Sequence, residues 1–399
     1  MHAQCVICGD TISRYLWGEN IFLEDDNWKE AYRTTGKLWT NADKVETRYF
    51  MQDENQWGTL YRLIVYDPAT NRHRLTGIGQ ALMSINNRYI KEDYYRVPSN
   101  KHKAVIGFPG EQTHDPDLIA VQYEYLHWWF FTAEPKTDWR KLAVSIHMRC
   151  WNLAICVLGP VVETHLDIFT ALALRKVREW EPDYDECTED PTGSTEPFKI
   201  LAFRNLIQKC QNKGEKKVPQ GNSRPTLPFS RLLYLPHEIR CLILDYLDYT
   251  DIAILKSAVQ YHIGESYWRA RMAFYLIGIN DELSQIENEK IDWEYLCLET
   301  EKLDATTDIF KTRRRAIRIL TGIKEKLFKI LHEGHIPSLK DVINDVQNEM
   351  IREYWDWYKQ RILDTNNLGW TSKGMLRSLT DAGFLERSFW KLENSQVLS

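Results

Sequence analysis

The chain of 399 residues is longer than most single domains, so we expect two or three structural units. Hydrophobic residues make up 43% of it and aromatic residues 12%, which is enough for a sizeable core and excludes disorder for most of the chain. A net charge of −5 provides no general attraction for phosphate backbones and argues against nucleic-acid binding.

Residues 1–11 carry a pair of candidate metal ligands. Cys5 and Cys8, followed by Gly9, have the spacing of a zinc knuckle, in which two thiolates bind one ion and the glycine permits a tight turn. The same segment has neither a basic stretch nor an apolar one, so we expect no secretory signal. Eight cysteines in such a chain indicate reduced thiols or metal ligands, and a cytoplasmic or nuclear location.

Residues 15–134 have the aromatic and alternating texture of β-strands. Two apolar runs, 60–66 and 72–79, stand on either side of a short turn-forming segment and predict a β-hairpin. Residues 104–108 and 118–131 predict further strands or apolar connections.

Residues 151–174 are the most apolar part of the chain and continue a helical pattern that begins at residue 141. Pro160 predicts a break or a kink in this pattern. The polar residues Glu163, His165 and Asp167 interrupt it, which a membrane-spanning helix rarely tolerates. We therefore expect no membrane anchor.

A second pair of candidate ligands stands at the start of this helical pattern. His147 and Cys150 are three residues apart and would face the same side of a helix. With Cys5 and Cys8 they would complete a closed tetrahedral site of three thiolates and one imidazole, which is typical of structural zinc. The alternative is that Cys5 and Cys8 are unbound thiols near the terminus and that Cys150 is a buried helix residue.

Two polar segments predict a domain boundary. Residues 179–195 are acidic and rich in turn-forming residues, and residues 208–224 are polar with Lys, Asn, Gly and Pro. Such compositions bury too little apolar surface to offset the entropy that is lost on ordering. The sequence therefore predicts a mixed α+β domain over 1–178 and a partly disordered linker over 179–231.

Residues 235–271 contain the most informative pattern, which consists of amphipathic segments behind a Leu-Pro pair. Pro236 suits the first turn of a helix, because its ring fixes φ and its missing N–H costs nothing there. Thr250 or Asp251 is a candidate cap for a second helix. Apolar residues recur at helical spacing in both segments: Leu235, Ile239, Leu242, Ile243, Tyr246 and Leu247, then Ile252, Leu255 and Val259.

This segment resembles an F-box in its Leu-Pro-x-Glu-Ile opening, its Ile-Leu-x-Tyr-Leu run, its Asp-Ile-x-x-Leu step and its closing Tyr267-Trp268-Arg269. It is shorter than most F-boxes between Leu255 and Trp268 and contains Gly264 there, so the pattern does not define a third helix. The chain is also similar to fungal F-box proteins in the order of its motifs. These motifs are Cys-x-x-Cys-Gly at 5–9, Leu-Thr-Gly-Ile-Gly at 75–79, His-x-x-Cys-Trp at 147–151, the F-box, and Asp-Trp-x-x-Leu at 292–296.

The resemblance implies a substrate-receptor subunit of an SCF-type cullin ubiquitin ligase. Its partners would be the Skp adaptor, the cullin scaffold and an unknown protein substrate, and catalysis would belong to other subunits. The resemblance implies an F-box module over 232–275 whose adaptor contacts are Leu235, Pro236, Ile239, Ile243, Leu244, Leu247, Ile252, Leu255 and Trp268.

Residues 276–399 are predicted to be mainly helical. The basic run 311–318 could contact nucleic acid or act as a nuclear signal. The aliphatic residues that follow at helical spacing instead favour an ordinary helix with a solvated basic face. The aromatic run 350–358 favours a core or a partner surface over a nucleic-acid stacking platform.

Two other functions remain open. The chain could be a zinc-stabilised, non-enzymatic binding or scaffold protein, and such a protein could act in the nucleus. The helices of 235–271 would then be core only. A cysteine hydrolase built on Cys150 and His147 would require an exposed thiol of low pKa. The sequence contains no Walker loop and no Gly-x-Ser-x-Gly elbow, so we expect no enzymatic activity.

Overall fold

The computed structural model of the protein describes residues 3–12, 15–16, 37–48, 56–83, 94–107, 116–122, 126, 143–178, 196–198, 200–214, 234–259, 263–278 and 291–333. Within these residues the fold is α+β, with helices and several small sheets, so the predicted fold class is confirmed. The prediction for residues 179–195 and the one for the aromatic run 350–358 lie outside the described residues.

The strands are β1 (Tyr15–Leu16), β2 (Lys37–Asn41), β3 (Leu60–Asp67), β4 (Arg72–Leu75), β5 (Gly79–Gln80), β6 (Leu82–Met83), β7 (Tyr94–Pro98), β8 (Lys103–Gly107), β9 (Leu118–Gln122) and β10 (Ala143–His147). The helices are α1 (Ala42–Arg48), α2 (Met148–Leu158), α3 (Val161–Thr164), α4 (Leu166–Arg178), α5 (Leu201–Gly214), α6 (His237–Asp245), α7 (Tyr249–Val259), α8 (Glu265–Arg271), α9 (Ala273–Leu276), α10 (Trp293–Thr306) and α11 (Lys311–Glu333). None of these helices is long and apolar enough to cross a membrane.

Strand β3 is the centre of the main sheet, where it pairs antiparallel with β10, β4 and β5. Its first six residues are all buried, which explains the nearly continuous apolar run in the sequence. The predicted hairpin is confirmed by the pairing of β3 with β4, in which Asp67 lies opposite Arg72. Asn71 ends the turn at φ 55°, a conformation that asparagine tolerates better than most residues.

The Leu-Thr-Gly-Ile-Gly step after β4 passes close to the backbone of neighbouring strands. Gly77 donates its N–H to Pro98 O at 2.8 Å. A Cβ atom on Gly77 would lie 2.3 Å from Lys103 O, and one on Gly79 would lie 2.6 Å from Arg96 O. These glycines therefore permit a close approach of backbone to backbone.

The start of the predicted helical region 141–174 is corrected by the structure, because Ala143–His147 form β10 and the helix begins only at Met148. All five residues of β10 are buried beside β3, and a short buried apolar run does not distinguish strand from helix. The predicted break at Pro160 is confirmed, since α2 ends at Leu158 and α3 begins at Val161.

Polar contacts connect the helices after this break to β4 and to the turn between β7 and β8. Asp167 of α4 contacts His73 of β4, with 2.5 Å between Oδ1 and Nδ1, and also accepts the His73 backbone N–H. Glu163 of α3 accepts a hydrogen bond from Lys101 at 2.7 Å. The polar residues within the apolar stretch therefore contact neighbouring elements.

Helix α5 lies inside the segment 179–231, which the sequence predicted as a partly disordered linker. Its residues Phe203 and Cys210 are fully buried, and Phe203 packs against Tyr275 and Phe310. The apolar residues of α5 recur at helical spacing within a polar composition. The polar composition of this segment therefore did not indicate the helix, which packs against α10.

The packing of helix α11 differs from the predicted division into an N-terminal domain and a separate C-terminal region. It packs against α2 and α4, and its Ile317, Leu320 and Ile323 belong to the same hydrophobic core as Cys5 and Trp151. A second core contains residues of α5 to α10. The chain passes from the first core to the second between Phe198 and Ile200, inside the predicted linker, and returns to the first core with α11.

Candidate functional site

The Cys-x-x-Cys-Gly segment forms a closed turn. The backbone N–H of Cys5 donates to Asp10 O at 2.9 Å, and the N–H of Gly9 donates to Cys5 O at 2.8 Å. Gly9 has φ 77°, which favours glycine. Gln4 and Thr11 form an antiparallel bridge at the base of the turn. We call residues 3–12 the knuckle.

The knuckle lies against the end of β10. Val6 donates its backbone N–H to Ser145 O at 3.0 Å, and the Ser145 hydroxyl donates to Gln4 O at 2.6 Å. The backbone N–H of His147 points to the Sγ of Cys5 at 3.4 Å. The strand that pairs with β3 thus delivers His147 to the knuckle, and α2 begins immediately afterwards.

All four residues that the sequence predicted as metal ligands meet in one buried cluster. The ligand atoms of Cys5, Cys8, His147 and Cys150 lie within 4.8 Å of one another. In a loaded tetrahedral zinc–thiolate site, Zn–S bonds of about 2.3 Å place the sulfur atoms about 3.8 Å apart. The cluster could therefore hold a metal ion after a small contraction.

The ring of His147 is oriented by contacts on both sides. Its Nδ1 lies 3.3 Å from Cys8 Sγ, and its Nε2 lies 3.3 Å from Thr11 O. An edge-to-face contact with Trp57, at 4.7 Å between ring centroids, holds the ring plane. This arrangement presents Nδ1 to the cluster and lets Nε2–H donate to a carbonyl, as the non-ligating nitrogen of metal-binding histidines does.

Without metal, the four groups are electrostatically unequal. Burial raises the pKa of the Cys8 and Cys150 thiols well above the usual value. Burial acts on Cys5 in the same direction, but hydrogen bonds from the other two thiols and the charge of His147 outweigh it and lower the Cys5 pKa. Burial would lower the pKa of His147, but the Cys5 thiolate raises it. The Cys5 thiol is therefore the most easily deprotonated of the three thiols, and His147 is the group whose charge favours its deprotonation.

The geometry is suited to structural metal binding and not to nucleophilic catalysis. Four protein ligands leave no position for water or substrate on a tetrahedral ion. Cys150 is fully buried and its pKa is raised, whereas a nucleophilic cysteine needs an accessible thiol of lowered pKa. These properties give no support to a cysteine hydrolase.

The comparisons with known proteins give no family assignment: no family model, no curated protein and no solved structure matches this chain.

The F-box-like segment forms three helices, α6, α7 and α8. Helix α6 begins directly after Pro236, whose carbonyl accepts the N–H of Arg240 at 3.1 Å. The expected cap of α7 is corrected, because Asp248 and not Thr250 or Asp251 is the acceptor. Its Oδ1 accepts the backbone N–H groups of Thr250 and Asp251, both at 2.8 Å.

Helix α8 is the third helix that the shortened sequence pattern did not define. It begins after Gly264 and carries Trp268, which is 1% exposed. Leu244 and Ile252 are buried in the same core. These three predicted adaptor contacts therefore face the interior in this conformation and hold the helices together.

The other predicted contacts lie nearer to the surface. Pro236 is exposed, and Ile243, Leu247 and Leu255 are half-buried. Four large apolar side chains around α6 are exposed and follow steps of four, three and four residues, so they share one face. This exposed stripe consists of Leu235, Ile239, Leu242 and Tyr246.

Sequence reasoning missed Arg271, the last residue of α8. Its guanidinium donates to Leu244 O at 2.6 Å and Leu247 O at 2.8 Å, at the C-terminal end of α6. It also forms a two-point ion pair with Glu301 of α10. Burial alone would lower the pKa of Arg271, but Glu301 and Tyr267 raise it. The available signal was a basic residue in the last turn of a predicted helix, which does not identify its acceptors.

Several arginines of the basic run 311–318 make contacts within the protein, although the composition of the run favoured a solvated face. Arg313 is buried, and Arg314 forms an ion pair with Asp304 of α10. Arg315 lies 4.0 Å from Asp10 of the knuckle. Lys311 and Arg318 are exposed, so the predicted solvated face holds for part of the run only.

Proposed function

We propose that this protein is a zinc-stabilised docking subunit that binds the Skp adaptor through α6 to α8 and acts as a substrate receptor of an SCF-type cullin ubiquitin ligase. The observation that carries the proposal is the exposed stripe on α6. The F-box-like opening leads directly into α6, and the large apolar side chains of the stripe are exposed along this helix and at its two ends.

The chemistry of the buried cluster supports zinc as the metal. Three thiolates and one imidazole form a soft, tetrahedral donor set, and zinc binds such sets in structural sites. Ion binding would cross-link the knuckle to the end of β10 and the first turn of α2. Zinc here would supply folding free energy and no chemical step.

The two faces of α6 support docking. Leu244 packs inward against the second core, whereas Leu242 is 54% exposed on the outer face. A helix that is apolar on its outer face suits a partner that offers an apolar groove. An exposed apolar stripe is unfavourable in water. A partner that covers the stripe removes this apolar surface from water, which favours binding.

Co-purification of the full chain with the Skp adaptor tests the docking proposal. Wild-type chain is expected to retain the adaptor, and a variant with Ile239→Glu and Leu242→Glu is expected to lose it, because two carboxylates cannot enter an apolar groove. Phe328→Glu on α11 is the matched control, since Phe328 is also exposed and apolar but lies outside the stripe. Failure of the wild-type chain to retain the adaptor would overturn the proposal.

A second candidate is a zinc-stabilised binding protein with no role in ubiquitin ligation. The observation that favours it is the burial of Leu244, Ile252 and Trp268, as expected for helices that are simply core. This function predicts stoichiometric zinc and no adaptor in the same co-purification. The two proposals therefore give opposite results with the wild-type chain.

A further inference from the structure

Helix α11 packs in one hydrophobic core of the protein, and the residue directly before it packs in the other. Its Ile317, Leu320 and Leu327 belong to the core that includes the knuckle and α2. Phe310, directly before its first residue, belongs to the core of the F-box-like helices.

The N-terminal end of α11 holds the backbone that follows α8. Arg313 is 1% exposed and donates to Ile277 O at 2.6 Å, Tyr275 O at 3.1 Å and Pro197 O at 2.8 Å. Burial lowers its pKa to about 10, so the guanidinium stays charged at neutral pH. A buried cation needs its hydrogen-bond acceptors, which makes their positions depend on the position of α11.

Arg271 continues this connection to α6. Its fork holds the carbonyls of Leu244 and Leu247, where the α6 hydrogen-bond ladder ends. The ion pair with Glu301 fixes the guanidinium on α10. Arg271 therefore determines how the end of α6, and with it the exposed stripe, is held against the second core.

The metal cluster contacts the same helix on its other side. Arg315 of α11 lies 4.0 Å from a carboxylate oxygen of Asp10, and the Asp10 carbonyl accepts the N–H of Cys5. Cys5 and Cys8 also pack in the core that contains α11. A change in the order of the knuckle would therefore act directly on α11.

We propose that Arg313 and Arg271 are positioning residues that connect the metal-bearing core to α6, so that metal binding orders the exposed stripe. The proposal deepens the proposed function and rests on it for the role of the stripe. Metal loss frees the knuckle, releases its hold on α11, and loosens the carbonyls that Arg313 and Arg271 bind. Couplings between distant sites correspond to affinity or population changes of about 5- to 150-fold.

Hydrogen exchange of the full chain, with bound zinc and after chelation by EDTA, tests this connection. Amides of residues 237–247 are expected to exchange about tenfold faster without zinc, whereas those of α5 and α10 keep their protection. Unchanged exchange in 237–247, together with faster exchange in the knuckle, overturns the proposal. A uniform increase over all helices also overturns it, because the connection would then be no more than global unfolding.

Variants at the two arginines separate a positioning role from a general effect on stability. Arg313→Lys keeps the charge but loses the guanidinium fork, so α6 is expected to exchange rapidly whether or not zinc is bound, with the zinc content unchanged. Arg271→Lys is expected to have the same effect on α6 exchange, because it removes the guanidinium that binds the Leu244 and Leu247 carbonyls. This variant provides the test if Arg313→Lys does not fold. Arg318→Lys, at an exposed position of α11, is the matched control and keeps the zinc-dependent difference. A zinc-dependent difference that persists in both variants overturns the proposal.

The test uses no adaptor, so its result is independent of adaptor binding. If α6 responds to zinc but the chain retains no adaptor, the positioning role stands and the SCF assignment fails. If the adaptor binds equally with and without zinc while α6 exchange is unchanged, the assignment stands and the positioning role fails.

Discussion

His147 Nδ1 lies 3.3 Å from Cys8 Sγ, although the two residues are 139 positions apart in the chain. The contact joins the knuckle to the junction of β10 and α2, and it closes a long loop within the first core. An ion bound by both residues would close this loop and lower the conformational entropy of the unfolded chain. It would therefore stabilise the folded state.

Cys8→Ser is expected to remove the metal and destabilise the protein. Structural zinc contributes on the order of 10 kcal/mol to folding in small modules, so the loss of one thiolate should lower the free energy of unfolding by several kcal/mol. Elemental analysis and chemical denaturation measure the two effects. Cys156→Ser is the control, because Cys156 is an exposed cysteine of α2 outside the cluster. A full zinc content in the Cys8→Ser protein would contradict the assignment.

Zinc affinity is expected to increase with pH. The raised pKa values of Cys8 and Cys150 mean that both thiols hold protons at neutral pH in the metal-free protein. The raised pKa of His147 favours proton binding on its ring as well. Zinc must displace these protons, and each one that is released contributes up to about a tenfold change in affinity per pH unit.

Competition with a zinc chelator of known affinity, from pH 6 upward, measures this dependence. The apparent affinity should rise with pH until the bound protons of the metal-free site are lost. An affinity that does not change over this range would mean that the cluster is already deprotonated or that it is not the binding site.

The four candidate ligands could be predicted from the sequence because their chemistry is carried by residue type. Cys5, Cys8, His147 and Cys150 are recognisable at any separation, and two local pairs limit the combinations. The start of α6 was equally accessible, since Pro236 marks it through its own backbone restriction. In both cases the residue that forms the structural feature can be recognised in the sequence by its type.

Features that depend on tertiary partners could not be predicted in this way. Residues 143–147 become a strand only because β3 lies beside them, since their apolar run fits strand and helix alike. Arg313 lies in a basic run and looks solvated, but its acceptors are backbone carbonyls, which leave no trace in the sequence. The same is true of the carbonyls that Arg271 binds.

Gly77→Ala and Gly79→Ala are expected to destabilise the N-terminal sheets. The added Cβ atoms would meet carbonyl oxygens at 2.3 and 2.6 Å, so the backbone must shift, at a cost of about 1–3 kcal/mol each. Gly264→Ala is the matched control, because its Cβ would make an ordinary contact at 3.7 Å and its φ is negative. Urea denaturation compares the three variants. Equal stability of all three would show that the close approach is not maintained in solution.

Trp268→Ala and Leu242→Ala are expected to separate the stability of the F-box-like helices from their binding. Trp268 is 1% exposed, and its truncation leaves a cavity that costs about 3–5 kcal/mol. Leu242 is 54% exposed, so its truncation should change the free energy of unfolding by less than about 0.5 kcal/mol.

Chemical denaturation and retention of the Skp adaptor, measured on the same two proteins, make the distinction. Leu242→Ala should keep native stability and lose part of the adaptor binding, because only the partner buries this side chain in the proposed complex. Trp268→Ala should lose stability, and its adaptor binding should fall only as far as the folded fraction falls. If Leu242→Ala binds as the wild type does, the exposed stripe is not the contact surface, and the adaptor, where it is retained, binds elsewhere on the chain.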